Sequence, residues 1–106
     1  MDNVEQGHFR LTTEQRRFKA MLSAYPRFHS YWDFSARECR IEALIEDMGK
    51  FSEGEKQLAC FFAVLWLGKS TSAAYEIEFD MFDAAYVLGD DERQLIIDWL
   101  KAPWYP

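Results

Sequence analysis

The chain has 106 residues with 18 acidic and 12 basic side chains, a formal net charge of −6, and 49% of its residues are hydrophobic. That length suits one domain, the apolar content excludes a disordered chain, and two cysteines are too few for a disulfide scaffold. The polar N-terminal segment and a longest apolar run of ten residues, 58–67, predict neither a secretory signal nor a membrane span, so we expect a cytoplasmic protein.

The start of the chain predicts a flexible arm over residues 1–11, followed by a single helical domain over residues 12–106. Thr12 or Thr13 opens a first helix that runs to about Ala24, because the apolar residues 18, 21, 22 and 25 fall on one side of a helix. The aromatic residues that follow, up to position 34, lack helical spacing and predict a connecting segment whose rings pack inward.

Two copies of the pattern Ser-x-x-Glu each predict the start of a helix. In this pattern, called a capping box, the hydroxyl and the carboxylate each accept a hydrogen bond from an unpaired backbone N–H. Ser35 and Glu38 therefore predict a second helix, with Ile45 on its inward side and a left-handed cap at Gly49. Ser52 and Glu55 predict a third helix from about residue 53 to residue 67.

The third helix is the predicted centre of the fold. Its second half, residues 58–67, is apolar on every side, and a helix without a polar side has to be surrounded by protein. Cys60 lies in this run and is predicted to be an inert buried thiol.

The last part of the chain predicts a turn-rich loop over residues 69–74 and two short helices. Asp80 caps a helix to Leu88, and Asp90 caps the last helix, residues 91–101. Residues 75–79 alternate between polar and apolar, so they form either one short strand or a loop that enters the next helix. The predicted fold class is all-α, a compact bundle of four to five helices around residues 58–67.

Charge is distributed unevenly along the chain. Residues 1–40 carry seven basic and five acidic side chains, whereas residues 41–106 carry five basic and thirteen acidic ones. Between Glu76 and Asp98 there are eight carboxylates and one cation, Arg93. Such a balance repels nucleic acid and anionic membranes and attracts basic surfaces, so we expect a basic protein partner, no direct nucleic acid and no membrane.

Catalytic and metal-binding patterns give little support to an enzyme. The glycines lack the spacing of a phosphate-binding loop, and the four His and Cys residues, His8, His29, Cys39 and Cys60, lack the paired spacing of a zinc site. Two candidate helix–turn–helix units have acidic residues at the start of the helix that would contact the DNA bases, at 53–55 and 90–92. We therefore predict no catalytic residues, no cofactor and no metal.

The leading hypothesis is a small, acidic, non-catalytic protein-binding module. It would act as an inhibitor or regulator that binds the basic, nucleic-acid-binding surface of a partner through the carboxylates between residues 76 and 98 and the aromatic C-terminal tail. The alternative for the tail is that it folds back over the last helix. The predicted contact residues are Glu76, Glu78, Asp80, Asp83, Asp91, Glu92, Trp104 and Tyr105. Two alternatives stay open: a homodimeric structural or regulatory protein joined through residues 75–79 or the tail, and an enzyme whose clustered carboxylates bind a divalent metal.

Overall fold

The first helix is formed as its sequence predicts. The computed structural model describes residues 10–106, so nearly all of the predicted arm, residues 1–11, lies outside the described residues. Helix α1 spans Thr13–Leu22, with Thr12 and Gln15 exchanging the two hydrogen bonds of a capping box. Its apolar side buries Phe18 and Leu22, and a 3-10 helix, Pro26–Tyr31, then turns further rings inward.

A small hairpin replaces the predicted start of the second helix. Strands β1 (Trp32–Asp33) and β2 (Glu38–Cys39) pair antiparallel, with Trp32 opposite Cys39. The capping-box prediction at residues 35 and 38 is wrong because the Asp33 carboxylate accepts hydrogen bonds from the Ser35 amide, the Ser35 hydroxyl and the Ala36 amide. These bonds close a turn instead of opening a helix.

The second helix is therefore shorter than predicted. Helix α2 spans Ile41–Asp47 and continues into a 3-10 turn, Met48–Lys50. The left-handed cap expected at Gly49 is wrong, since among the glycines of the described chain only Gly68 has a positive φ, +87°. Ile45 was expected on the inward side, but it is 38% exposed because the short helix contacts the core through Ile41 and Leu44.

The central helix is confirmed. Helix α3 spans Glu53–Leu67, and its capping box forms as predicted, with the Ser52 hydroxyl accepting from the Glu55 amide and the Glu55 carboxylate accepting from the Ser52 amide. Phe62 is fully buried at its middle, and four rings surround it with centroids 5.8 to 6.0 Å away. The apolar run is thus the core around which the other helices pack.

The segment after α3 differs from its prediction at residues 69–74, while residues 75–79 follow one of their two predicted alternatives, the loop that enters the next helix. Residues Lys69–Ala74 form helix α4 and not a turn-rich loop. Residues 75–79 are a loop and not a strand, because the amides of Glu76 and Ile77 donate back to carbonyl groups of α4 and Glu76 has a φ of +60°. An amide that closes the end of a helix cannot also pair with a neighbouring strand.

Two helices complete the fold, α5 (Met81–Val87) and α6 (Asp90–Lys101). The Asp80 cap is confirmed, whereas Gly89, and not Asp90, precedes the last helix as its cap. A Cβ atom at Gly54 would lie 2.9 Å from the Val87 carbonyl oxygen, so glycine permits the close approach of α5 to α3. The all-α prediction holds apart from the hairpin, and no helix in residues 10–106 is long and apolar enough to cross a membrane.

Candidate functional site

The predicted acidic contact residues before α5 are exposed. Glu76, Glu78 and Asp80 lie in the irregular segment between α4 and α5. Asp83 is exposed in the first turn of α5. Asp80 has a structural task, because its carboxylate accepts hydrogen bonds from the backbone amides of Phe82 and Asp83 at 2.9 and 3.0 Å.

The acidic residues of α6 border different clefts. Asp91 lines a cleft of about 450 Å³ between α1 and α6, whereas Glu92 lines one of about 400 Å³ beside the start of α3. Burial raises the pKa of the nearby Tyr25 hydroxyl, and the negative charges of Glu92 and Asp91 raise it further. Neither cleft is lined by Asp80 or Asp83.

The C-terminal tail folds back over α6. The Trp99 indole N–H donates to the Trp104 carbonyl oxygen at 2.7 Å, and the Arg17 guanidinium lies 4.7 Å from the centre of the Trp104 ring. The Tyr105 ring contacts Trp99 edge-on at 5.6 Å, yet Tyr105 remains 68% exposed. Trp104 thus packs against the fold, while Tyr105 stays largely exposed.

The exposed aromatic residues of α5 were missed by sequence reasoning. Phe82 is 83% exposed and Tyr86 is 90% exposed, and they lie one helical turn apart. Met81, on the same helix, is 57% exposed. The small residue Ala84 is buried instead, so α5 packs against the core through a small side chain. We call the surface formed by Phe82, Asp83 and Tyr86 the α5 face.

The carboxylates between residues 76 and 98 are largely unneutralised. Arg93 pairs with Asp90, and its guanidinium also donates to the Leu88 carbonyl oxygen at 2.6 Å. Among the residues that the structure describes, the other seven carboxylates of this segment form no ion pair. The negative potential expected from the sequence is therefore present on the folded surface.

The described residues contain neither a metal-binding cluster nor a thiol with a lowered pKa. No group of three or more His, Cys, Asp or Glu side chains within residues 10–106 is arranged to hold a metal ion, and His8 lies outside that range. Burial, with a smaller contribution from Glu42, raises the pKa of the Cys39 thiol to about 12, and burial also raises that of Cys60. Since the thiolate is the reactive form, both thiols are poor nucleophiles.

Comparison of the chain with protein-family models, with curated proteins and with solved structures gives no match. The α5 face and its surroundings combine exposed aromatic rings with carboxylates that form no ion pair within residues 10–106.

Proposed function

We propose that the protein is a non-catalytic binding module that uses the α5 face and the neighbouring carboxylates to bind a basic surface of a partner protein. The observation that carries this proposal is the pair of rings at Phe82 and Tyr86, exposed by 83% and 90% and one helical turn apart on α5. Aromatic side chains dominate the energy of many protein interfaces, and contiguous exposed apolar surface often marks an interaction site.

The charges and the rings support different parts of the binding reaction. Carboxylates that pair with no cation of the described chain, such as Glu76, Glu78 and Asp83, would attract a basic partner over a distance and increase the rate of association. The rings of the α5 face lose contact with water in the complex and slow its dissociation. A basic surface that normally binds nucleic acid would be covered in this way, which gives the protein the role of an inhibitor or regulator.

A homodimer through the same face is disfavoured by its charge. A two-fold contact brings the same patch of both copies together, so the negative charges of one copy would lie opposite those of the other and repel them. Like charges in an interface disfavour the contact unless they are paired. A basic partner removes this repulsion, and a second copy of the chain does not.

The test compares two charge-reversal variants with the same net charge. The first is Glu76→Lys, Glu78→Lys and Asp83→Lys, beside the α5 face. The control is the set of exposed residues elsewhere, Glu14→Lys, Glu38→Lys and Glu46→Lys. Both variants and the wild type are immobilised, proteins of the native host are captured at low and high salt, and the bound proteins are identified by mass spectrometry.

The proposal predicts that a basic protein binds the wild type and the control but not the first variant. With that protein purified, the association rate should fall on the order of tenfold or more in the first variant and lose most of its salt dependence. Thermal melts confirm that both variants are folded. Equal association rates and equal salt dependence for the first variant and the control would refute the proposal.

A further inference from the structure

A cavity of about 430 Å³ lies between the last turn of α3, helix α4 and the loop 75–79, and no residue of the α5 face lines it. Its walls are largely apolar, formed by Val64, Ala73, Ile77 and Phe79. Ser72 of α4 also lines the cavity and is only 1% exposed, although it is a polar residue. The cavity therefore combines an apolar interior with a buried polar group.

The hydroxyl group of Ser72 has no hydrogen-bond partner. The backbone of this residue is fully used, because its amide donates to the Gly68 carbonyl oxygen at 3.0 Å and its carbonyl oxygen accepts from the amides of Tyr75 and Ile77 at 3.1 and 2.9 Å. Its Oγ, in contrast, is buried and bonds to no described residue. A buried hydroxyl without a partner destabilises a fold, so this group is available to a polar atom inside the cavity.

Two opposite charges line the same cavity without neutralising each other. Lys69 is the first residue of α4, one turn before Ser72, and Glu78 lies on the loop. Neither side chain forms an ion pair with any residue in the range 10–106, so the two are too far apart to pair directly. A simple anion in the cavity would be repelled by Glu78 and a simple cation by Lys69, whereas a molecule with both charges would pair with both.

We propose that this cavity binds a small zwitterion with an apolar side chain, which is the chemistry of a free aliphatic amino acid. The carboxylate of the ligand pairs with Lys69 and accepts a hydrogen bond from Ser72, whose hydroxyl turns toward it by rotation about the Cα–Cβ bond. The ammonium group pairs with Glu78, and the side chain contacts the apolar walls. Such a lining, mostly apolar with a few polar groups that fix the orientation, is typical of small-molecule sites.

The probe is L-leucine, titrated into the full-length protein and followed by the NMR shifts of the backbone amides. Three control ligands each lack one feature: N-acetyl-L-leucine lacks the ammonium group, L-leucinamide lacks the carboxylate, and glycine lacks the apolar side chain. We expect saturable shifts around Ser72 and Ile77 with L-leucine, and binding of each control at least about tenfold weaker. The expectation is independent of the proposed function, because Lys69 and Ser72 do not belong to the α5 face.

Two substitutions test the polar contacts against matched controls outside the cavity. Ser72→Ala and Lys69→Gln should each weaken binding of L-leucine by about tenfold or more. Ser70→Ala on the same helix and Lys101→Gln at the end of α6 alter exposed residues that do not line the cavity, so they should leave binding unchanged.

Ser72→Ala has a second readout in the absence of any ligand. Removal of a buried hydroxyl that has no partner should not lower the urea midpoint relative to Ser70→Ala, which shares the gain in helix propensity. A lower midpoint would show that the hydroxyl is already satisfied, for example by a buried water, and would overturn the inference. The absence of saturable shifts up to about 50 mM L-leucine, or equal binding of N-acetyl-L-leucine, would overturn it as well.

Discussion

Two substitutions of phenylalanine by alanine test the separation of core and binding face. Phe62 and Phe82 both lie within helices, but Phe62 is fully buried and Phe82 is 83% exposed. Four rings contact Phe62, so Phe62→Ala leaves a cavity that its rigid neighbours fill poorly. Measured losses for such substitutions are about 3–5 kcal/mol.

The expected effect at Phe82 is much smaller. Complete burial of a phenylalanine side chain stabilises by about 1.5–3 kcal/mol, and about one sixth of this residue is covered, which leaves roughly 0.3–0.5 kcal/mol to lose. Alanine has the higher helix propensity by about 0.5 kcal/mol, which offsets that loss. Phe82→Ala should therefore change the free energy of unfolding by less than about 0.5 kcal/mol.

Urea unfolding followed by tryptophan fluorescence measures both effects. Phe62→Ala should lower the midpoint by about 1 M urea or more, and Phe82→Ala should leave it almost unchanged. Partner capture should show the reverse, with Phe82→Ala binding weakly although it is stably folded. A loss of more than about 1.5 kcal/mol in Phe82→Ala would show that this ring is packed, and the α5 face would no longer be a free surface.

Three further predictions concern stability, each measured by urea unfolding. The Tyr31 hydroxyl donates a hydrogen bond to the Asp47 carboxylate and lowers its pKa. The resulting stabilisation is fully present above pH about 4 and is lost as the pH falls through the lower pKa of the folded state. Tyr31→Phe should therefore make the free energy of unfolding depend less on pH in that acidic range. Gly54→Ala should cost about 1–3 kcal/mol because its Cβ meets the α5 carbonyl, whereas Gly49→Ala, with no atom within 4 Å, should not destabilise. Ser52→Ala should cost about 1 kcal/mol by removing the helix cap, and an unchanged midpoint would contradict the capping argument.

The two Ser-x-x-Glu patterns show how far local sequence rules extend. The copy at Ser52 opens α3 as predicted, while the copy at Ser35 lies in a hairpin turn. The difference is the preceding Asp33, whose carboxylate competes for the same local donors. The hairpin also depends on the antiparallel pairing of Trp32 with Cys39, seven residues apart. A four-residue pattern such as Ser-x-x-Glu does not include that pairing and so cannot predict it.

The candidate site was harder to predict than the fold. The sequence places a short helix after Asp80, and the structure agrees, but the sequence does not say which side of that helix packs. Helix α5 carries large apolar side chains on several sides, and hydrophobicity alone would bury Phe82 before Ala84. The structure does the opposite: Ala84 is buried and Phe82 is exposed, and α5 approaches α3 closely where the Val87 carbonyl faces Gly54. One signal was available, since helices with small residues on one side tend to use that side for close packing.

The unneutralised carboxylates and the exposed rings make physical sense together. Exposed aromatic surface promotes association of identical copies, and net negative charge on the same surface opposes it. Asp83, next to Phe82 in the first turn of α5, places such a negative charge beside the rings. Under the proposed function, these charges would favour a basic partner over a second copy of the chain, which is why reversing charge beside the rings is a sharper test than removing the rings alone.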